Sequence, residues 1–208
     1  VKDYLERREG LAMLVLDSRD AARDAAQFAE AGIGDYEPFF FERSGRRPGG
    51  GETHVAFTLA FASDPHLPEA SFFVCQQHFP EAFWDPRLQT HANGAVDVSA
   101  VTLSADSPSR HTAFLATFTG ASSGDKGVSY ALTHGSKLRV VAGQYPRGFA
   151  AFRVRVPDLS VVTQRLAREG VSFEDSSGCV AVRHGTYGVT VEFGSGSGES
   201  LSPTPDHD

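Results

Sequence analysis

The chain has 208 residues, enough for one large domain or two small ones, and its 40% hydrophobic and 22% charged residues are ordinary for a globular protein. Its formal net charge of −7 argues against a nucleic acid or an anionic membrane as the partner. No apolar run approaches the roughly 20 residues of a membrane span.

The two cysteines, Cys75 and Cys179, lie far apart and lack the C-x-x-C spacing of a metal or redox site. Each stands in an apolar, strand-like run. We therefore predict buried, reduced cysteines and a cytoplasmic protein. The chain opens with Val1 rather than Met, so targeting cannot be read from its start.

One pattern occurs three times: an apolar strand, an Asp, and a helix closed by Gly. The copies begin with "GLAMLVLDSRDAARDAAQFAEAGI" (10–33), "VDVSAVTLSADSPSRHTAFLATFTG" (96–120) and "GFAAFRVRVPDLSVVTQRLAREGV" (148–171). A carboxylate accepts hydrogen bonds from the free amides of a first helical turn, and glycine readily adopts the left-handed ending. The predicted N-caps are Asp20, Asp106 and Asp158, and the predicted helix ends are Gly32, Gly120 and Gly170.

Further strand-like runs follow each helix and are separated by turn residues. They lie at 37–43, 53–62 and 71–76 in the first copy, at a short piece near 121–125 and then at 127–133 and 137–142 in the second, and at 171–175, 179–184 and 188–193 in the third. The sequence therefore predicts an α+β fold of tandem βαβββ modules. A Gly/Ser/Pro-rich tail at 194–208 is predicted to be disordered.

Two motifs carry a resemblance to a known family. The ending "HGTYGVTVEF" (184–193) resembles the last hairpin of the vicinal oxygen chelate superfamily, although His184-Gly185 replaces its usual Asp-Pro. The stretch "FFVCQQHFPEAFWDPRLQTHANGA" (72–95) resembles the segment between modules in bacterial glyoxalase-like domain proteins. The superfamily includes glyoxalase I, bleomycin-resistance proteins and extradiol dioxygenases.

This resemblance implies half-open, curved mixed sheets with helices outside and a small-molecule site within. It also implies an incomplete first module at 1–10, whose last strand is "DYLE" (3–6). The expected division is then a module at 11–76, a linker at 77–95 and two paired modules at 96–193.

The resemblance also directs attention to metal ligands, which in metal-binding members are His and Glu on the first and fourth strands. Glu6 and Glu192 match that ligand type for Zn²⁺, Ni²⁺, Mn²⁺ or Fe²⁺, and Gln76 is a weaker oxygen ligand. Aligning the first strands on the helix-capping Asp puts only poor ligands at or next to the usual His position, namely Met13, Ser99 and Ala151. The metal-dependent interpretation is weakened accordingly.

The linker supplies further candidates, each with two interpretations. His78 and His91 are candidates for substrate binding and general base catalysis, or they hydrogen-bond a loop to the sheets. Trp84 stacks on a ligand or packs the linker over a sheet. Asn93 donates to a ligand or forms a turn with Gly94. Gln76 orients a substrate or satisfies a buried backbone group. Because side chains alternate along a strand, either Gln76 or Gln77 must point inward.

Glu192 alternates with Val191 and Phe193 and so lies on the opposite face of its strand. On the inner face it would be a metal ligand or catalytic base, and on the outer face merely solvated. Arg153 and Arg155 alternate similarly, and either clamp an anionic substrate or line a solvated face.

The leading hypothesis is a glyoxalase-like small-molecule enzyme of lyase, isomerase or dioxygenase type, with a divalent metal as Lewis acid or with a degenerate metal site. The alternative is a metal-free protein that binds or sequesters a small aromatic or anionic compound. An inner face lined by Phe39, Phe41, Phe57 and Phe73 favours the alternative, but the sequence does not fix the faces of these residues. A third hypothesis is a homodimer that covers an exposed sheet edge.

Overall fold

The computed structural model describes residues 2–6, 9–46, 50–84, 86–124, 128–143, 145–176, 178–185 and 187–196. The strands are β1 Met13–Ser18, β2 Phe39–Arg46, β3 Glu52–Ala62, β4 Ser71–Gln77, β5 Asp97–Ser104, β6 Ser129–Ala131, β7 Lys137–Val141, β8 Gly148–Arg155, β9 Glu174–Ser176, β10 Cys179–His184 and β11 Val189–Gly194. The α-helices are α1 Lys2–Leu5, α2 Ala21–Glu30, α3 Pro80–Phe83, α4 Thr112–Thr119 and α5 Leu159–Arg168. None of these helices is long and apolar enough to cross a membrane. From 197 onward the predicted disordered tail lies outside the described residues.

The strands form two mixed sheets. The first has the order β1-β4-β3-β2 and contains one βαβββ copy. The second has the order β6-β7-β5-β8-β11-β10-β9 and contains two copies, joined where their first strands β5 and β8 pair antiparallel. The earlier of these copies has only two strands, β6 and β7, after its helix in the described residues, and an isolated bridge between Ser123 and Tyr130 stands where its further strand was predicted. In each copy the first strand pairs parallel with the last, since a helix provides the crossover. The predicted α+β fold of βαβββ modules is confirmed.

Helices α2, α4 and α5 cover one face of the sheets, which we call the helix face; the opposite one is the open face. Asp20 caps α2 by accepting from Arg23 N (3.0 Å), and Asp158 caps α5 by accepting from Ser160 N (2.8 Å). The three predicted terminal glycines all have positive φ. Asp106 is not a cap, because a 3₁₀ turn at Pro108–His111 precedes α4 and begins after Ser107.

The predicted strand at 3–6 is wrong, because Lys2–Leu5 forms the short helix α1. No strand of the described chain pairs with this segment. A helical turn satisfies its backbone groups locally, whereas an isolated strand cannot. The Tyr4 hydroxyl donates to Leu11 O (2.8 Å) and ties the segment to the start of β1.

One hydrophobic core joins the two sheets on their helix faces. Phe72 of β4 is 1% exposed, and its ring contacts those of Phe114 and Phe118 in α4 and of Phe149 in β8. Helices α2 and α4 meet at the rings of Phe28 and Phe118. Helices α2, α4 and α5 therefore leave the open faces uncovered, and these faces are the surfaces on which a site can form.

Candidate functional site

The open face of the four-stranded sheet is aromatic. Strand pairing sets Phe41 opposite Phe57 and Phe61 opposite Phe73, and alternation puts Phe39 on the same side. We call these five phenylalanines the aromatic face. They include all four that the sequence left without an assigned side.

Phe39, Phe41 and Phe57 of the aromatic face touch in a row, and Phe61 and Phe73 form a second pair with centroids 5.4 Å apart. Phe41 stacks on Phe57 with centroids 5.1 Å apart, and Phe39 lies 5.9 Å from Phe41. Phe83 of α3 borders this row, with its ring edge-on to Phe57 at 5.9 Å. Because Phe39 is still 55% exposed and Phe41 37%, the row offers apolar surface to a ligand or partner.

The glutamine on the open face is Gln77, not Gln76. Gln76 points to the helix face, where its Oε1 accepts from Ala21 N at the start of α2 (3.1 Å). The buried Oε1 of Gln77 has no hydrogen-bond partner within the described residues. Cys75 shares the open face, where burial and the charge of Asp17 raise the pKa of its thiol. Both cysteines are free but half-buried, so their predicted full burial is wrong.

The linker residues His78 and Trp84 lie on different sides of this sheet. His78 Nε2 lies 2.8 Å from Thr58 Oγ1, and its ring is edge-on to Phe40. Thr58 and Phe40 are paired on the side opposite the aromatic face, so His78 is behind it. Trp84 is 56% exposed and contacts Phe83, which places it at the rim of the aromatic face.

His91 and Asn93 form a turn away from both open faces. Gly94 N donates to His91 O (2.9 Å), and Asn93 Oδ1 accepts from Ala95 N (3.1 Å). Asn93 also lines an apolar cavity of about 290 Å³ together with residues of α5 such as Val162. These contacts match the turn interpretation of Asn93. Neither residue is brought near Glu192 by a contact in the described chain.

Glu192 lies on the open face of the seven-stranded sheet, because its neighbours Val191 and Phe193 pack toward α5. Its Oε2 accepts from Arg139 Nη2 and from Arg153 Nε, each at 2.8 Å. Arg153 is the direct partner of Glu192 across the β8–β11 ladder, whereas Arg139 comes from β7 of the neighbouring module. Arg155 on the same face forms an ion pair with Asp97.

Burial raises the pKa of Glu192, but the hydrogen bonds and charges of Arg139 and Arg153 outweigh that effect. The net pKa therefore lies below its ordinary value of 4.5. Glu192 is an ionised carboxylate at neutral pH, and its proton affinity is low. A group of this kind is a poor general base.

The Glu192→Gln variant is expected to be less stable than the wild type by about 1–2 kcal/mol at pH 7, since charge-assisted hydrogen bonds are lost. A carboxyl with a lowered folded-state pKa stabilises above its unfolded pKa and loses that stabilisation as the pH falls through the folded value. The difference between variant and wild type should therefore shrink as the pH falls below 4.5. Urea denaturation across a pH series measures it; a difference that stays constant with pH would contradict the ionised pair.

A divalent metal does not fit the groups at the positions that the family uses for ligands. Met13, Ser99 and Ala151, which the resemblance puts at or next to the places of the usual histidines, are poor ligands. Glu192 is enclosed by two guanidiniums that repel a cation, and Glu6 is exposed in the turn after α1. No three His, Cys, Asp or Glu side chains of the described residues are grouped as a metal ion requires.

A polar cavity at the junction of the two sheets was not predicted. It has a volume of about 320 Å³ and is lined by charged and imidazole side chains, among them His66, Arg110 and Arg147. His111 also lines it, and its Nδ1 donates to Asp64 Oδ2 (2.8 Å); these two side chains are only 4% and 7% exposed. The partners are 47 positions apart in sequence, and no local motif marks the pair.

Comparison with solved structures places this geometry in a known fold. The chain resembles a hypothetical protein from Staphylococcus aureus (TM-score 0.59, 9% identity, 86% of this chain and 64% of the other). It also resembles catechol 2,3-dioxygenase (TM-score 0.57, 15% identity, 91% of this chain and 70% of the other). A third similar structure is the Mn(II)-bound glyoxalase from Novosphingobium aromaticivorans (TM-score 0.50, 18% identity, 88% of this chain and 61% of the other). The chain thus spans less than two thirds of the Staphylococcus protein and of the glyoxalase. These identities establish the fold alone.

Sequence comparison establishes the family. None of the curated proteins matches the chain significantly. The family model described as the glyoxalase-like domain matches residues 1–119, more than half of the chain. With its tandem βαβββ modules and open mixed sheets, the chain belongs to the glyoxalase-like domain family of the vicinal oxygen chelate superfamily.

Proposed function

We propose that this protein binds a small aromatic molecule on the aromatic face, without a metal ion. The observation that carries the proposal is the row of touching, partly exposed phenylalanine rings on one open face. Flat apolar molecules gain about 25 cal/mol for each Å² of apolar surface that such a row removes from water. Edge-to-face and offset contacts with the rings add orientation.

Polar groups around the rings supply limited specificity. The buried Oε1 of Gln77, which lacks a partner among the described residues, can accept a hydrogen bond from a ligand hydroxyl or amine once the side chain turns outward. Trp84 and Phe83 at the rim can cover one side of a bound ring. The free cysteines fit the reducing conditions of the cytoplasm, which we propose as the location.

A glyoxalase-like enzyme is the second candidate. Glu192 favours it, since a carboxylate of the ligand type does lie on an open face. Two solved structures with this fold are described as a dioxygenase and a Mn(II)-bound glyoxalase. Two observations argue against an enzyme. Two arginines neutralise Glu192. The residues at or next to the expected histidine positions are apolar or weak metal ligands. The geometry therefore supports binding better than metal-assisted catalysis.

The neighbouring residues Phe40 and Phe41 provide a matched test, because they are exposed on opposite faces of β2. We expect Phe41→Ser to weaken the binding of 1-naphthol, measured by isothermal titration calorimetry, by five- to tenfold. That range is roughly 1–1.4 kcal/mol of lost ring burial. Phe40→Ser should leave the binding unchanged.

Three outcomes would reject this proposal. The first is equal weakening by both substitutions, and the second is no binding of 1-naphthol at all. The third is near-stoichiometric Zn²⁺, Ni²⁺, Mn²⁺ or Fe²⁺ in elemental mass spectrometry of protein purified without chelators, if that metal is lost in Glu192→Ala or Glu6→Ala. The third outcome would support the enzyme.

A further inference from the structure

The open face of the seven-stranded sheet is positively charged, although the whole chain has a formal net charge of −7. Strand pairing places more cationic than anionic side chains on it. The cations are Lys137, Arg139, Arg153, Arg155 and Arg183, and the carboxylates are Asp97, Glu174 and Glu192. We call this surface the basic face. A local excess of positive charge on an acidic protein attracts anions selectively.

Two of these cations share a single carboxylate. Arg155 and Arg183 each have their own partner, Asp97 and Glu174. Arg139 and Arg153, in contrast, both bind Glu192, and both through its Oε2. The cluster of two guanidiniums and one carboxylate therefore has a net charge of +1.

Each of the two guanidiniums has hydrogen-bond donors that do not bind Glu192. Arg139 Nε has no partner among the described residues but is buried, so the donors of this side chain that a ligand can reach are those of its terminal nitrogens, of which Glu192 uses one N–H. Arg153 Nη2 reaches only Cys179 Sγ at 3.6 Å, and thiol sulfur is a weak acceptor. The side chains of Arg139 and Arg153 are 32% and 31% exposed, so a ligand can reach them, whereas Glu192 is 12% exposed. A guanidinium carries five N–H donors, and Glu192 uses one from each arginine.

We infer that the basic face binds the carboxylate group of a small organic acid between Arg139 and Arg153. The planar guanidinium fork matches a carboxylate, and one bound carboxylate neutralises the +1 charge of the cluster. A phosphate dianion would leave the cluster negative. Glu192 holds the two guanidiniums together in the absence of ligand and competes with the ligand for their donors.

This site lies on a different sheet from the aromatic face, so the inference goes beyond the proposed function. It also accounts for the mismatch with the family's metal ligands. Where the resemblance implies a carboxylate that holds a cation, this chain surrounds that carboxylate with two cations of its own. The charge preference of the position is thereby inverted from cation to anion.

Substitution of Glu192 separates this inference from a role in metal binding. Glu192→Gln removes the competing negative charge while keeping the size of the side chain. We expect it to tighten the binding of benzoate, measured by isothermal titration calorimetry, by at least fivefold. A metal-ligand role predicts no such gain, and instead predicts loss of bound Zn²⁺ in the same variant.

A neutral ligand and variants of the two arginines complete the test. Benzamide, which has nearly the shape of benzoate without its charge, should bind the wild type at least tenfold more weakly. Arg139→Gln and Arg153→Gln should each weaken benzoate at least tenfold, and Arg153→Lys by an intermediate factor, because it keeps the charge but loses the fork. Arg183→Gln is the matched control: it removes a cation of the same face that is already paired with Glu174, and should change benzoate binding less than twofold.

The inference is overturned if benzoate and benzamide bind equally, if benzoate does not bind, or if Glu192→Gln weakens benzoate. Tighter binding of inorganic phosphate than of benzoate, with the same arginine dependence, would overturn the assignment to a carboxylate. Thermal unfolding of each variant must show a folded protein at the titration temperature. Phe41→Ser should bind benzoate on the basic face as well as the wild type does, so failure of the aromatic site and of this one can be told apart.

Discussion

Replacing Phe72 with alanine is expected to lower the free energy of unfolding by about 3–5 kcal/mol, because a fully buried ring is removed from a close-packed core. The ring centroid of Phe72 lies 4.9 Å from that of Phe114, 5.3 Å from that of Phe118 and 5.4 Å from that of Phe149. These three partners belong to the modules of the other sheet. The substitution should therefore weaken the contact between the sheets as well as the four-stranded sheet itself. Urea denaturation, followed by circular dichroism and by Trp84 fluorescence, measures the change.

A phenylalanine on the surface provides the control for Phe72. Phe40→Ala removes the same atoms from a side chain that is 54% exposed, and should change stability by less than about 1 kcal/mol. If Phe72→Ala does not fold, Phe72→Leu keeps most of the volume and should cost about 1–1.5 kcal/mol. A loss below 1 kcal/mol for Phe72→Ala, or two separate transitions in the wild type, would show that the sheets fold independently of this core.

The repeat and most of its boundaries could be predicted because they depend on local chemistry. Asp20 and Asp158 cap their helices through amides two or three residues away, and the terminal glycines have the positive φ that ends a helix. Asp106 fails as a cap although its spacing is the same. Pro108 two residues later begins a 3₁₀ turn, and Asp106 instead lies 3.3 Å from Arg147.

The faces of the strands could not be predicted because they depend on register. A shift of one residue moves every side chain of a strand to the other face. Gln76 and Gln77 exchanged roles for this reason. In β5 the register also shifts between Val98 and Ala100, so alternation counted along the sequence fails there. The four phenylalanines were singled out by type, but only the pairing of β2 with β3 and β4 puts them on one face.

The cluster of Arg139, Arg153 and Glu192 depends on contacts between modules. Arg139 and Glu192 are 53 positions apart, and they meet because β5 and β8 join two modules into one sheet. The sequence indicated a carboxylate at 192 and an arginine at 153 that could bind an anion. It gave no sign that Arg139 would reach the same carboxylate, and that contact is what gives the cluster its net positive charge.

Replacing Asp64 with alanine is expected to lower the free energy of unfolding by about 3 kcal/mol, since His111 would remain buried without its carboxylate. Asp64 lies in the loop between β3 and β4, and His111 lies in the 3₁₀ turn before α4, so this pair joins the four-stranded sheet to the module that begins with β5. Their side chains are 7% and 4% exposed, which leaves little access for water to replace the lost partner. Urea denaturation at pH 7 measures the loss.

An exposed carboxylate at the same junction provides the control. The Asp106 side chain is 75% exposed and lies 3.3 Å from Arg147, so Asp106→Ala should change stability by no more than about 0.5 kcal/mol. The double variant Asp64→Ala/His111→Phe removes both partners, and should recover part of the loss because no buried imidazole is left unpaired. Equal effects of Asp64→Ala and Asp106→Ala would contradict a structural role for the buried pair. In that case Phe72 and its three ring partners would be the principal contact that holds the sheets together.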